Sequence, residues 1–577
     1  MADVQCDVLV IGASLGGVAA ALRAGAIGAA VCLVEASGWI GGQMTGQGVC
    51  TPDENEYVET VGSTAAYRDF RQRVREFYRT TYHLSAEGAA MPRFNAGRCW
   101  VNGGFSVEPL VGMHLLGEML AEFPNISLVL NTAVTAVERD GDAIAAVNAV
   151  AQDGTGTHFL APFVLDATDT GDLLLLSGAE WTVGAESRRE TGEPDAPADA
   201  HPEWVQPFTF PFALERRPAG ENHTIAPPPG YAQLKATQRY GIQDGPIRQV
   251  FGGAFPWWTY RRVIAAENFA DPAFPHDIAT INTGANDYEG GIVPSGSPDA
   301  DAQALATGRL ASLGYLYWLQ TECPRDDNPA RRGYPELRPR PDFFNTPDGL
   351  APLPYIRESR RLRAQKTVRE TDIAAKYNPG PRATLFPDTC GIGSYGIDIH
   401  HGSTGDPGLW EPTKPFQIPL GALLPLGITN LIASCKNIGV THITNGAYRI
   451  HPSEWAVGEA AGALAGFCAG QGVTTGAVAS DAGLLRSYQK LLLGAGVPLF
   501  WWSDVPYGHP AFEATQLLGV EQISHGNGRD LAFDVSAIFT AGDAQALAAR
   551  AGLTQPFPQP NMTRGQAAIW LAAQLNL

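Results

Sequence analysis

The stretch Cys6-Asp7-Val8-Leu9-Val10-Ile11-Gly12-Ala13-Ser14-Leu15-Gly16-Gly17, continued by an Ala-rich run, decides how this chain is read. A short, mostly apolar run that breaks into small residues and then turns helical is a β-strand feeding a tight turn and a helix. Only small side chains let backbone N–H groups at such a helix N-terminus approach a pyrophosphate. A second apolar strand, Ala30 to Val34, ends in Glu35. An acid about 20 residues beyond the glycines is where a ribose hydroxyl needs an acceptor. A lone glycine-rich turn can also be an ordinary tight α/β junction. Here strand, turn, helix, second strand and terminal acid come in order, so we read nucleotide binding by Gly12, Ser14, Leu15, Gly16, Gly17 and Glu35, with Ser14 in place of the middle glycine. The second glycine turn, Gly41-Gly42-Gln43-Met44, suits FAD better than a nicotinamide.

A chain of 577 residues exceeds what one hydrophobic core organises, and two or three domains are expected. The net charge of −19 excludes a phosphate-backbone partner, which would need clustered Lys and Arg. No apolar run reaches the ~18 residues needed to span a bilayer, and the first strand leaves no room for a signal peptide. The expectation is a soluble cytoplasmic protein, with an exported form left open by the tail described below. Eight cysteines, at 6, 32, 50, 99, 323, 390, 435 and 468, show no Cys-x-x-Cys and no ladder, so neither a dithiol, an iron–sulfur cluster nor a structural zinc is expected.

Tyr67 to Tyr82 and Val107 to Phe123 read as helices, the latter leading into a strand at Ile126 to Leu130. Val134 to Arg139, Ala143 to Gln152 and Thr157 to Leu160 read as short antiparallel strands. Phe163 to Asp166 is a buried strand running into Ala167-Thr168-Asp169-Thr170-Gly171-Asp172, where a two-part FAD fold returns to its cofactor. Glu193 to Glu203 reads as an exposed linker, and the Pro- and aromatic-rich segment beyond it as a substrate domain containing a charged helix, Tyr355 to Arg361. Leu431 to Ser434 is a strand leading to a glycine-rich loop and a helix, Ser453 to Ala469, in which Gly458, Gly462 and Gly466 signal close backbone approach, with the cofactor strand as the expected neighbour. The expected divisions are 1–192 and 401–492 for the two parts of the FAD domain, 193–400 for the substrate domain and 493–577 for a C-terminal module.

Three blocks, Gly12 to Glu35, Asp166 to Asp172 and Asn437 to Trp455, together with Tyr355-Ile356-Arg357-Glu358-Ser359-Arg360-Arg361, resemble the FAD-dependent oxidoreductase family often annotated near xanthan lyases. The match covers residues 5 to 475, and its motifs are specific for flavin but not for substrate. The resemblance implies an α/β fold of glutathione-reductase type, with a two-part Rossmann-like FAD core, a mixed α+β substrate domain and a small helical appendage. It implies cofactor contacts at Ala36, Val134, Ala167, Thr168, Asp169, Asp172 and Asn437. The last block is also similar to the flavin segment of the fumarate reductase and L-aspartate oxidase group. By that analogy Pro452, Ser453, Glu454 and Trp455 present backbone N–H groups to the pyrimidine side of the flavin, with His442 and Arg449 near the ring. Family analogues carry an Arg where this chain has Cys435-Lys436. Residues beyond 495, including Trp501-Trp502-Ser503-Asp504 and Asn561 to Ala568, resemble a degenerate S-layer homology module, read as a packing or dimerisation appendage.

Removal of hydride from a carbon bearing O–H or N–H needs a base for the heteroatom proton, and a His titrating near neutrality suits that role. His400 and His401 in Tyr395-Gly396-Ile397-Asp398-Ile399-His400-His401 are the candidates, with Tyr395 beside them. A strand end with satisfied polar side chains is the competing reading, and metal binding lacks a further separated ligand. Gly391 to Gly396 matches a dinucleotide pattern literally, but without a preceding strand and a following helix it is rejected. Arg357 sits in an Arg-rich segment expected to be a solvated, salt-bridged face, and is the candidate for binding an anionic substrate. The expected function is an FAD-dependent oxidoreductase moving hydride between a small organic substrate and flavin N5, reoxidised by oxygen, a quinone or a partner protein, and possible as a homo-oligomer. The alternative is a surface-associated carbohydrate-binding protein with a vestigial flavin.

Overall fold

The computed structural model describes residues 2–101, 104–328, 330–402, 404–553, 557 and 562–577. It opens with an edge strand, β1 (Ala2–Gln5), and then the expected unit of β2 (Val8–Ile11), α1 (Leu15–Ile27) and β3 (Val31–Val34). β2 and β3 are buried throughout. Strands covered on both faces read as unbroken apolar runs rather than alternating ones, which is how these were found. Next come α2 (Ala65–Thr81), α3 (Pro109–Ala121) and β4 (Ile126–Val129), each within a few residues of expectation. β5 (Thr132–Asp140), β6 (Ala143–Ala151) and β7 (Gly156–Leu160) form an antiparallel meander to which β1 adds in parallel. β8 (Phe163–Asp166) then returns to lie beside β2, Phe163 pairing with Val8.

A second layer is built between residues 208 and 356. Its antiparallel sheet takes the order β10-β11-β9-β12 from β9 (Phe212–Arg216), β10 (Arg262–Ile264), β11 (Ile278–Ile281) and β12 (Leu337–Pro339), and the long α4 (Pro298–Thr321) precedes the last strand. Phe212, Leu214, Trp258, Ile281, Tyr315 and Leu319 belong to a hydrophobic cluster separate from the main core. That separation makes this layer a cap with its own interior.

The chain re-enters the core through β13 (Thr389–Gly393), β14 (Ile397–Ile399), β15 (Leu409–Glu411) and β16 (Phe416–Pro419), with β13 paired to β16 and β14 to β15. β17 (Leu431–Ala433) completes the parallel sheet in the order β17-β8-β2-β3-β4. α5 (His442–Tyr448) and α6 (His451–Gln471) follow. The glycine face of α6 closes on α1, not on the cofactor strand as expected. A Cβ at Gly458 would stand 2.1 Å from the Gly16 carbonyl oxygen, and one at Gly462 2.1 Å from that of Ala20. Two helices can approach this closely only where one offers bare backbone. The architecture is therefore mixed α/β, with no described helix long and apolar enough to cross a membrane.

Three further expectations are overturned. Tyr355 to Arg361 is not a helix but an extended segment threaded through the interior, and Arg357, Glu358, Arg360 and Arg361 are all buried. Arg361 binds Glu358 and, at 2.8 Å, Glu186, so the expected solvated face is an internal ion-pair network. Within the expected linker, Glu193 is buried and accepts from the Glu370 N–H and the Thr441 hydroxyl. The expected boundary at 493 runs through continuous packing. Leu499, Phe500 and Trp502 join the main core cluster, the Trp501 indole N–H donates to the Phe416 carbonyl, and the Gln417 amide donates to that of Leu499. Of the quoted tail motif, Asn561 lies outside the described residues, and Arg564–Gln574 is a helix capped by Thr563.

Candidate functional site

The turn expected to hold the nucleotide is shaped by residues that cannot be enlarged. Gly12 has φ +94°, and a Cβ there would sit 2.4 Å from the Ala167 carbonyl oxygen; one at Gly17 would sit 2.0 Å from that of Gly12. The Ser14 hydroxyl accepts from the Gly17 N–H at 3.2 Å, so this residue, standing in for a glycine, caps α1. Glu35 follows β3 and accepts from the Ala13 and Ser37 N–H groups at 2.7 and 2.8 Å; burial raises its pKa against those bonds. Gly41 and Gly42 both have positive φ, and a Cβ at Gly42 would sit 2.9 Å from the Ser14 Cα. Leu15, Met44 and Ala167 are fully buried around this turn, whereas Ala36 is exposed and Val134 half-buried on β5.

Asp169 is paired with Lys436 at 2.6 Å, and Lys436 also donates to the Ile356 carbonyl. The Asn437 amide donates to the Asp166 carbonyl, and Thr168 bonds the Asp166 carboxylate. Asp172 turns outward, its side chain half exposed, to Arg360 at 3.4 Å. Asp169, Cys435 and Glu454 come within 4.8 Å of one another. Lys436 already supplies a cation there, and Glu454 accepts from the Gly16 N–H at 3.0 Å and from Gln43. The α6 N-terminus has no side-chain cap. Beside it Gln43 Oε1, Ser434 Oγ, His451 Nδ1 and Ser453 Oγ are buried without a hydrogen-bond partner among the described residues. Buried polar atoms are normally satisfied. A tight glycine cradle at one end and unmet polar groups at an uncapped helix start at the other fit a flavin dinucleotide lying between them.

On the cap side of this cradle lies a cavity of about 510 Å³. Arg449 joins the two: its carbonyl accepts from the Gln43 amide at 3.0 Å, while its guanidinium donates to the Tyr355 hydroxyl at 2.9 Å and to Asp398 Oδ2 at 3.0 Å. His400 Nδ1 faces Asp287 Oδ2 at 2.5 Å and Nε2 faces Asp398 Oδ2 at 3.5 Å. Arg357 pairs with the other oxygen of Asp287 at 2.9 Å. Burial and the Arg357 charge push the imidazole pKa down, but Asp287 and Asp398 outweigh them and the net shift is upward. Burial opposes ionisation of Asp398, but the His400 and Arg449 charges hold its carboxyl well below the usual range. Tyr395, Tyr260, Arg261, Asp53, Trp100 and Trp410 complete the wall.

Of the expected catalytic residues, Tyr395, His400, Arg357 and Arg449 are thus brought to one cavity. His401 faces an adjoining recess. Arg357, expected to be free for an anion, is committed to Asp287. His442 does not reach this cavity: its ring is buried between Glu358 at 2.9 Å and Asp406 at 3.2 Å, and although burial opposes the charge, these carboxylates raise its pKa to about 10. Of Pro452 to Trp455, the Trp455 side chain points into the core, stacking on Phe70 with ring centroids 6.2 Å apart. Asp287, Asp53, Arg261, Trp100 and Trp410 were missed from sequence. Asp287 and Arg261 come from the cap and are far in the chain from any glycine motif.

The sequence model of the FAD dependent oxidoreductase family matches residues 7–492, and the chain belongs to that family. It is accordingly an FAD-dependent oxidoreductase, and FAD is its cofactor. No protein of curated function matches it. Among solved structures it is similar to L-proline dehydrogenase from P. horikoshii, at 20% identity over 29% of this chain and 23% of that one, with a TM-score of 0.18. It is also similar to p-nitrophenol 4-monooxygenase PnpA from Pseudomonas putida DLL-E4, at 12% identity over 64% and 71% with a TM-score of 0.28. OxyS anhydrotetracycline hydroxylase from Streptomyces rimosus aligns at 12% identity over 96% and 78% with a TM-score of 0.32. The matched part covers less than a quarter of the proline dehydrogenase chain, and none of these likenesses carries an argument about substrate.

Proposed function

We propose that this enzyme removes a hydride from a carbon bearing a hydroxyl or amino group in a small organic substrate bound in the 510 Å³ cavity. The observation that carries the reading is Arg449, whose carbonyl holds the Gln43 turn of the cofactor cradle while its guanidinium forms the cavity wall. Bound FAD supplies the hydride acceptor, held by Gly12 to Gly17, Glu35, Gln43, Lys436 and the α6 N-terminus in a core of glutathione-reductase type. As the C–H bond gives up its electron pair, the heteroatom proton must leave, and His400, once deprotonated, can take it at Nε2, whose contact to Asp398 is the looser of its two at 3.5 Å. Asp287 orients the imidazole and stabilises its charged form; Asp398 keeps Arg449 and His400 in register. Arg449 contributes positive charge beside the cradle. Oxygen, a quinone or a partner protein restores the oxidised cofactor, and the S-layer-like tail serves packing.

The test is an anaerobic screen of polyols, sugars, amines and hydroxy acids for bleaching of the purified yellow protein. Dithionite should bleach it and air restore the colour. A protein that carries FAD but is reduced by none of these classes would refute hydride removal from such carbons.

A further inference from the structure

The cavity wall carries as many arginines as aspartates: Arg261, Arg357 and Arg449 against Asp53, Asp244 and Asp398. Each guanidinium already has a carboxylate, Arg261 with Asp53 at 3.0 Å, Arg357 with Asp287 behind the wall, and Arg449 with Asp398. An anionic substrate would therefore find no uncommitted cation; of the wall carboxylates only Asp244 has no cation partner among the described residues, and it accepts from the Gly284 N–H at 3.3 Å, leaving acceptor capacity for a hydroxyl. What the wall does leave open is hydrogen-bonding capacity. The Nε groups of Arg357 and Arg449 are buried at the wall without a hydrogen-bond partner among the described residues.

Interleaved with these polar groups are two aromatic pairs. Trp100 and Tyr260 have centroids 4.7 Å apart, and Tyr395 meets Trp410 edge-on at 6.2 Å. Trp410 is 62% exposed although it lines the cavity. A Cβ at Gly396 would stand 3.0 Å from the Trp410 ring, so this glycine lets the indole lie close over the β14–β15 edge. A large exposed ring at a cavity mouth costs free energy until something covers it. The ligand that uses all of this is neutral, rich in hydroxyls along its edges and apolar on its C–H faces, so that faces lie on indole and phenol rings while edges reach the paired charges.

Resting on the oxidoreductase reading, we infer that the substrate is a neutral polyhydroxylated ring of saccharide type, with Trp410 as the platform at the mouth of the site. The paired ions set specificity: a site built to bond hydroxyls leaves its own groups unpaired when an analogue lacks one, and rejects it strongly.

The experiment uses the FAD-loaded protein, kept oxidised, with tryptophan fluorescence read during titration with methyl hexopyranosides and their disaccharides. Lactate and mandelate serve as anions, phenol as a bare aromatic. At least one glycoside should saturate the signal, and Trp410→Ala should weaken its binding about tenfold, the worth of ~1.4 kcal/mol. The variant should melt like the parent because the ring is largely solvated. Binding of phenol or of an anion with the glycosides silent overturns the substrate class, as does binding by none, and glycoside binding indifferent to Trp410→Ala overturns the platform at the mouth. Anaerobic flavin bleaching separates the two proposals. A glycoside that binds through Trp410 without ever reducing the flavin supports the class and refutes its oxidation, whereas bleaching by phenol or by an anion alone leaves the enzyme an oxidoreductase and refutes the class.

Discussion

Gly458→Ala tests the joint between the two halves of the cofactor domain. The added methyl would stand 2.1 Å from the Gly16 carbonyl oxygen, about 1 Å inside any tolerable contact. Neither atom can swing away, since one is fixed to the α6 backbone and the other belongs to the turn that opens α1. The helices must separate, and such overpacking costs about 1–3 kcal/mol. Gly16 opens α1 directly after the glycine turn, with its N–H bonded to Glu454, so the displacement falls on the turn proposed to hold the cofactor, and FAD affinity should fall ~10- to 100-fold, at ~1.4 kcal/mol per decade. The assay is quenching of FAD fluorescence on titration into apoprotein, with the melting temperature measured alongside. Gly462→Ala meets the Ala20 carbonyl oxygen at the same 2.1 Å one turn further on, so it should lower the melting temperature similarly with less effect on FAD. Gly470→Ala meets nothing within 4 Å and should stabilise by ~0.5–1 kcal/mol through helix propensity. A Gly458→Ala protein that melts and binds FAD like the parent would refute the close-contact reading of α1 and α6.

Three further outcomes follow from the same structure. Because folding raises the His442 pKa from the ordinary 6.5 to about 10, its pairing with Glu358 and Asp406 contributes fully below pH 6.5 and is lost as pH rises toward 10. Unfolding free energy should therefore fall across that window by several kcal/mol, at ~1.36 kcal/mol per pKa unit; a His442→Gln variant with the same pH slope would remove this assignment. Flavin reduction by substrate should rise with pH through an inflection above 6.5, where His400 becomes neutral, and Asp287→Asn should move the inflection acidward. An unmoved inflection in stopped-flow traces would exclude His400 as the proton acceptor. Truncation after Leu493 removes Leu499, Phe500 and Trp502 from the main core and should yield insoluble or flavin-free protein; a soluble, yellow truncate would show the tail to be a detachable module.

The glycine turns and the position of Glu35 were readable because their physics is local. Gly12, Gly17, Gly41 and Gly42 are required by turns a few residues long, and Glu35 is placed by the length of one strand–helix–strand unit. The cavity half was not readable in the same way. Arg357 to Arg361 carries the charge density of a solvated helix, and nothing within the segment reveals that Glu186 and Asp287 are waiting for it in the interior. His442 lies in the same motif as Arg449, yet α5 turns one toward a buried carboxylate pair and the other toward the cavity.

Alone, then, the sequence determined the parallel α/β unit and its glycine turns, which depend on residue types at short, fixed separations, and the family and FAD, which several such blocks carry together. Tertiary structure alone decided that α6 closes on α1, that residues 497–520 belong to the core, and that Asp53, Arg261 and Asp287 meet Asp398, His400 and Arg449 around one cavity. Such meetings join residues up to some 400 positions apart. Which of them pair is settled by the requirement that buried charges and polar groups find partners across the whole fold, a condition no local pattern encodes.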